Sequence, residues 1–289
     1  MRVKTTPSHS SFLLMCFQFA AALLAVTLAV AAATTSSPST EPLPPDAGHQ
    51  TKILLDAAEY SAHQEQNLPN FICTQTTRRF VGSTGDSRFR PTDVIVERVT
   101  YFDHHEDYKV FTVNGEATNV SHSGVGGTIT SGEFGTLLKN IFSTQSETKF
   151  SWQSFYTLRG RRMHVFSYSV KAANSHYHVS VRSTRLDLVT GYHGLIFIDD
   201  NQHFVYRITQ HHDTIPSDYP VQDVSLLLDY DYMQIGDSEY LLPLEFELRS
   251  REWGQPIKND VTFEDYQKFT ADASITYDTP APQDKQAKK

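Results

Sequence analysis

The sequence predicts a mainly β (α+β) fold: a large twisted antiparallel sheet, curved into an open half-barrel, with two helices on its concave side. Three observations predict it. From Lys149 to Tyr277 apolar and often aromatic residues alternate with polar ones, the two-residue period of strands with one buried and one wet face. Short turn signals separate these runs, which makes neighbouring strands antiparallel. Only two stretches carry a helical period, too few to cover both faces of a parallel sheet.

Taken in order, the chain of 289 residues opens with an export segment. Arg2 and Lys4 precede a nearly unbroken apolar run from Phe12 to Val30, and Ala31-Ala32-Ala33 supplies the small residues of a cleavage site. About 20 apolar residues also suffice for an uncleaved anchor, but the abrupt polar switch at Thr34 favours cleavage. Leu13-Leu14-Met15-Cys16 is no lipoprotein box, because the apolar run continues far past Cys16. The expected organisation is a signal peptide over 1–33, a disordered Pro/Ser/Thr-rich tether over 34–48, one β-rich domain over 49–278 and a disordered tail over 279–289.

Removal of residues 1–33 leaves 23 basic and 33 acidic residues, a net charge of about −10, which argues against nucleic acid or anionic lipid surfaces as partners. Only Cys73 then remains, so an internal disulfide is excluded and the domain is held by its core. Cys73 reads as a small buried hydrophobe.

The first helix is predicted over about Thr51 to Gln66, with Ile53, Leu54, Ala57, Ala58 and Ser61 on one face and Pro69 as its stop. Phe71 to Phe80 reads as a strand, followed by a pair from Val94 to Phe102 and Tyr108 to Val113 that ends at Asn114-Gly115. After a loop with Gly124, Gly126 and Gly127, Ser131 is placed to cap a second helix whose Phe134, Leu137, Leu138, Ile141 and Phe142 form one stripe, with Glu133 in its first turn. The glycine loop lacks the Lys-Ser/Thr of a phosphate loop. The ladder follows: Phe150, Trp152, Ser154 and Tyr156; His164, Phe166, Tyr168 and Val170; Tyr177, Val179 and Val181; Leu195, Phe197 and Asp199; Phe204, Tyr206 and Ile208; Val224 to Tyr232; Leu242 to Leu248; Phe269 to Tyr277.

Candidate chemistry is sparse. The 13 histidines include His176 and His178, two apart on a predicted strand and so on one face, where they could share a metal; a strand face decorated with polar residues explains them more simply. Asp199-Asp200 reads as a turn before it reads as a carboxylate pair. Asp229 and Asp231 have no partner base. Gly-x-Ser-x-Gly and His-Glu-x-x-His motifs are absent from the sequence. Asn119-Val120-Ser121 matches a glycosylation acceptor, of consequence only in a eukaryotic secretory route. The surplus aromatic face remains. Two short helices do not readily hide it, so either the sheet closes or something occupies it.

Three segments carry a family resemblance: Gly194 to Asp199 with Val205-Tyr206-Arg207-Ile208, Tyr240-Leu241-Leu242-Pro243, and Asn259, Phe263, Tyr266 and Phe269. Over about residues 50–277 the chain resembles exported bacterial proteins related to the outer-membrane lipoprotein-sorting carriers LolA and LolB. That resemblance implies an incomplete β-barrel with helices as a lid and carriage of an acyl chain in the concave cavity. The carriers also have a functional arginine; Arg78 and Arg79 stand in the first strand, and the sequence leaves their facing open.

The reading is therefore an exported, periplasmic or extracellular, non-enzymatic protein that binds a lipid or other apolar ligand through Phe150, Trp152, Phe166, Tyr168, Phe204, Tyr206, Leu228 and Tyr230. It needs no cofactor and has no membrane span once the signal is cleaved. One alternative is an interaction module of the cell envelope with a filled core and a protein partner. Another is a metal-dependent enzyme on the His176/His178 face.

Overall fold

A computed structural model describes residues 43–83, 88–127, 133–181 and 185–269. The export segment, most of the tether, Ser131, Ala271 to Tyr277 and the tail lie outside the described residues. Helix α1 (Ala47–Asn67) begins two residues inside the stretch read as tether, because Asp46 caps it by accepting from the His49 backbone N–H at 2.8 Å. There follow β1 (Phe71–Gly82), β2 (Phe89–Phe102), β3 (His105–Val113), β4 (Glu116–Ala117), α2 (Thr136–Phe142), β5 (Lys149–Leu158), β6 (Arg161–Val170), β7 (His178–Val181), β8 (Leu186–Val189), β9 (Gly191–Asp199), β10 (Val205–Asp213), β11 (Val221–Ile235), β12 (Ser238–Glu252) and β13 (Gln255–Lys268).

Eleven strands form one antiparallel sheet in the order β4-β3-β2-β1-β13-β12-β11-β10-β9-β6-β5, and β7–β8 is a separate hairpin. The two edges, β4 and β5, are not paired with each other, so the sheet is open, as the sequence predicts. The last strand, β13, lies between β1 and β12 and joins the N-terminal strands to the long C-terminal ladder.

Three expectations are corrected. Helix α2 starts at Thr136, so Glu133 sits in the turn before it rather than in its first turn, and is buried. Among the described residues the last strand is Gln255–Lys268, which the sequence reading did not set out as a strand, and Phe269 follows it outside any strand. In β5 the pairing with β6 shifts between Trp152 and Ser154, so Phe155 rather than Ser154 faces the partner of the inward row, and Tyr156 turns against Phe197 on the other side.

Directly opposed residues on neighbouring strands share a face. One row therefore runs across almost the whole sheet: Trp152, Phe166, Ile196, Ile208, Leu228, Phe246, Val261, Thr77, Ile95 and Val113. It is apolar everywhere except at Thr77. A parallel row runs Tyr168, Gly194, Gln210, Leu226, Leu248, Asn259, Arg79 and Asp93. Gly194 is required there: a Cβ on it would stand 1.8 Å from the Thr209 carbonyl oxygen, the acceptor of the Tyr168 hydroxyl at 3.0 Å. The helices cover this face with buried Ile53 and Ala57 from α1, Leu137 and Ile141 from α2 and Phe134 from the turn before it, joined by half-buried Leu54, Tyr60, Leu138 and Phe142.

Among the described residues no helix is long and apolar enough to cross a membrane.

Candidate ligand cleft between the helices and the sheet

Tyr60 and Gln64 follow Ile53 and Ala57 on the inward stripe of α1, at one and two turns beyond Ala57. The Tyr60 ring stacks on Phe204 at 3.6 Å between centroids, and the Gln64 amide donates to the Leu241 carbonyl. Lys139 of α2 pairs with Glu65 of α1 at 2.9 Å. These contacts bound a cleft lined by Tyr60, Phe134, Leu138, Val205, Tyr230 and Leu241. Measured to its mouth it takes up about 420 Å³, but only about 30 Å³ admits a water-sized guest. That is room for one or two waters.

The N-terminal half of α1 is held by ionisable groups. His203 and Lys52 both pair with Asp56 at 2.6 Å. The His49 ring lies 6.0 Å from that of His164 and 6.5 Å from that of His203. His164 is buried and faces Asp200 at 2.8 Å. Burial lowers its pKa; Asp200 opposes this, and His49 and His203 add to it.

Of the eight residues expected to bind ligand, Phe166, Tyr168, Tyr206, Leu228 and Tyr230 are buried, and Phe150, Trp152 and Phe204 pack half-buried against the same core. Tyr230 alone of the eight lines the cleft, its hydroxyl donating to the Glu133 carbonyl at 3.4 Å, and Phe204 closes its side against Tyr60. Burial, then the charges of Glu133 and Glu106, raises the Tyr230 hydroxyl far above the usual tyrosine range. Sequence reasoning missed Tyr60, Val205 and Leu241. Tyr60 was findable, since it continues the Ile53–Ala57 stripe at helical spacing.

The remaining candidates resolve simply. β7 begins at His178, so His176 lies ahead of the strand and the two do not share a strand face; His178 instead pairs with Asp187 at 2.8 Å on an exposed hairpin. Among the described residues no three His, Cys, Asp or Glu side chains stand close enough to share a metal ion. Asp199 is a turn residue that accepts from the Asn201 and Gln202 N–H groups at 2.9 and 2.8 Å. Asp229 forms a bidentate pair with Arg207 at 2.5 and 2.6 Å. Cys73 is buried, and burial pushes its thiol well above the usual range, as an unreactive core cysteine requires.

A second cleft lies on the same face, over β1, β2, β12 and β13, with Gln75, Thr77, Arg79, Glu97, His122 and Asn259 set among Ile95, Val125, Phe246 and Val261. Here the arginine question is settled: Arg79 shares the face of Gln75 and Thr77, while Arg78 is exposed. Arg79 grips Asp93 bidentately at 2.7 and 2.5 Å and donates to the Gly126 carbonyl at 2.5 Å and the Val125 carbonyl at 3.4 Å.

No family model matches the chain, and no curated protein matches it. Among solved structures, a domain described as an outer membrane lipoprotein-sorting protein from Vibrio parahaemolyticus is similar at 11% identity and a TM-score of 0.39, over 76% of this chain and 94% of its own. A DUF1329 family protein from Desulfovibrio piger is similar at 8% identity and a TM-score of 0.34, over 75% and 94%. MucB, solved in complex with MucA(peri), is similar at 9% identity and a TM-score of 0.20, over 75% and 94%. Likenesses at this level assign neither family nor activity.

Proposed function

We propose that this is an exported, non-enzymatic binding protein that takes a lipid or other apolar ligand between α1, α2 and the sheet. The observation that carries the reading is the cleft itself: an apolar floor of Val205, Tyr230 and Leu241 under a helix with only two fully buried apolar residues. The rest of the hold on α1 is the half-buried Leu54, the Tyr60–Phe204 stack, ion pairs and one amide, and of these the ion pairs and the amide exchange with water at small net cost when the helix lifts. A chain of methylenes entering there gains about 0.8 kcal/mol for each one buried. Lifting α1 exposes Tyr60 and Phe204 and extends the cleft toward Tyr206, which links it to the buried aromatic row.

Native mass spectrometry and solvent extraction of the purified protein, with displacement of the apolar dye N-phenyl-1-naphthylamine as a second measure, test this. Retained lipid, or saturable dye binding weakened by Leu138→Asp, is the expected result. A ligand-free protein that binds no dye overturns it.

The enclosed room of about 30 Å³ favours a second reading, an interaction module of the cell envelope with a filled core. A stable protein partner together with no dye binding selects it.

A further inference from the structure

Gln210, His164 and Ser250 are single buried polar residues on the inward face, but four others cluster on three adjacent strands: Gln75 and Thr77 on β1, Glu97 on β2 and Asn259 on β13. Gln75 stands directly opposite Glu97, and Arg79 directly opposite both Asn259 and Asp93. Places where a chain departs from its own local rule are where function is to be sought. The cleft beside these residues takes up about 350 Å³ with the solvent at its mouth, of which about 20 Å³ admits a water-sized guest, so a larger group enters only if a side chain moves aside.

Its charges centre on one carboxylate. Arg79 and Asp93 cancel one another. That leaves the Glu97 carboxylate, 2% exposed, accepting from the Gln75 amide at 3.2 Å. A buried carboxylate needs a cation or a full set of donors. Here the partner comes from a loop: the His122 Nδ1 lies 2.7 Å from Glu97, and the imidazole stacks on the Tyr108 ring at 4.5 Å. The Tyr108 hydroxyl in turn donates to Glu106 at 2.6 Å, with Glu133 3.3 Å from the same oxygen, so two further carboxylates stand at the far end of the ring. A carboxylate in front and an aromatic face alongside is the arrangement that receives an ammonium or guanidinium group.

His122 is held by its side chain more than by regular backbone structure. It belongs to a single 3-10 turn, His122–Gly124, followed by Gly126 and Gly127, both at positive φ. We infer that this cleft is a binding site for a cationic group, an ammonium or guanidinium, and that His122 is an internal plug that the ligand displaces from Glu97 and Tyr108. Arg79, holding the Val125 and Gly126 carbonyls, keeps the loop in place as the plug leaves. The inference is independent of the apolar-ligand reading, because lipid extraction tests that one and cation titration tests this one.

The test is calorimetric titration of the full-length protein and of His122→Ala with methylguanidinium and n-butylammonium, using butanol and butyrate as neutral and anionic controls. Removing an internal competitor raises apparent affinity by the fraction of sites it occupied. Both cations are expected to bind His122→Ala about tenfold or more tighter than the unsubstituted protein. Glu97→Gln is expected to abolish that binding, and neither control should bind. Equal affinity in the two proteins, or equal binding of butanol, overturns the inference. If His122→Ala does not fold, His122→Ser, whose side chain is too short to reach Glu97, is titrated against the same two criteria.

Discussion

The two halves of the inward face obey the same register but different chemistry. Toward β5 the rows carry Trp152, Phe166, Ile196, Ile208 and Leu228, close-packed beneath α1 and α2. Toward β2 the same rows carry Thr77, Asn259 and Arg79, and the next row carries Gln75 and Glu97, beneath a glycine-containing loop. The first half stores stability in buried area. The second holds groups whose desolvation is costly and is offset only by hydrogen bonds among themselves. A sheet does not need the second half in order to fold, so the contrast separates what makes this protein stable from what it is equipped to bind.

The strongest way to break that contrast is to truncate the apolar half. Phe166 is fully buried and stands opposite both Trp152 and Ile196. Phe166→Ala is expected to cost about 3–5 kcal/mol, and Leu228→Ala about 2–5 kcal/mol, in chemical denaturation. A loss under 1 kcal/mol at either position would mean that this half is loosely filled, and would favour an open cavity over a packed core.

Acid probes the same half next. His212 lies between Tyr177, at 4.1 Å, and Tyr192, at 6.2 Å, with hydrogen bonds to Thr190 and Gln210. Burial, with smaller contributions from His211 and His193, lowers its pKa from 6.5 to about 4. The unfolded chain therefore binds a proton that the folded chain refuses, and stability falls as pH drops through this window. The sign is unambiguous: no contribution to the slope above 6.5, a loss between 6.5 and about 4, and the full loss below, roughly 3 kcal/mol. His212→Phe is expected to flatten the profile over that interval. An unchanged slope in urea titrations across it would falsify the assignment.

In the polar half the largest effect is expected at Arg79. Arg79→Ala leaves Asp93 without its bidentate partner and frees two loop carbonyls. The expected loss is about 2 kcal/mol, with faster hydrogen exchange across the amides of residues 118–127. Loss of stability without faster exchange there would show that Arg79 serves the sheet rather than the loop.

The open antiparallel sheet was legible because a two-residue period survives in any one strand without knowledge of its neighbours. What a single strand does not encode is register. Thus Phe150 and Trp152 were read on the inward face, but the shift after Trp152 that brings Phe155 inward depends on the pairing with β6. Arg78 and Arg79 were indistinguishable until β13 and β2 fixed which of them meets Asn259 and Asp93. Glu97 and His122 come together across a loop whose path no local pattern states. Tyr60 is the exception, a cleft residue that lay on a visible helical stripe. The buried aromatic residues were legible as a group, but whether they line a space or fill it is a matter of packing in three dimensions.

The smallest expected effect is the most discriminating. Thr77 is the one polar member of the long apolar row, set between Val261 and Ile95. Its hydroxyl accepts from the Gln75 amide at 3.4 Å, a long bond, while that amide also serves Glu97 at 3.2 Å. Thr77→Val exchanges the hydroxyl for a methyl that two apolar neighbours can contact, so stability is expected to change by less than about 1 kcal/mol in either direction. If the polar half is only a core with incidental polar groups, nothing else should change. If it is a site, the same substitution made in His122→Ala should weaken methylguanidinium binding, because it removes an oxygen from the wall of the cleft and leaves the Gln75 amide to Glu97 alone. A variant as stable as its parent and poorer at binding the cation would separate the two halves by function; one unchanged in both respects would make the inner face a single core with a polar end.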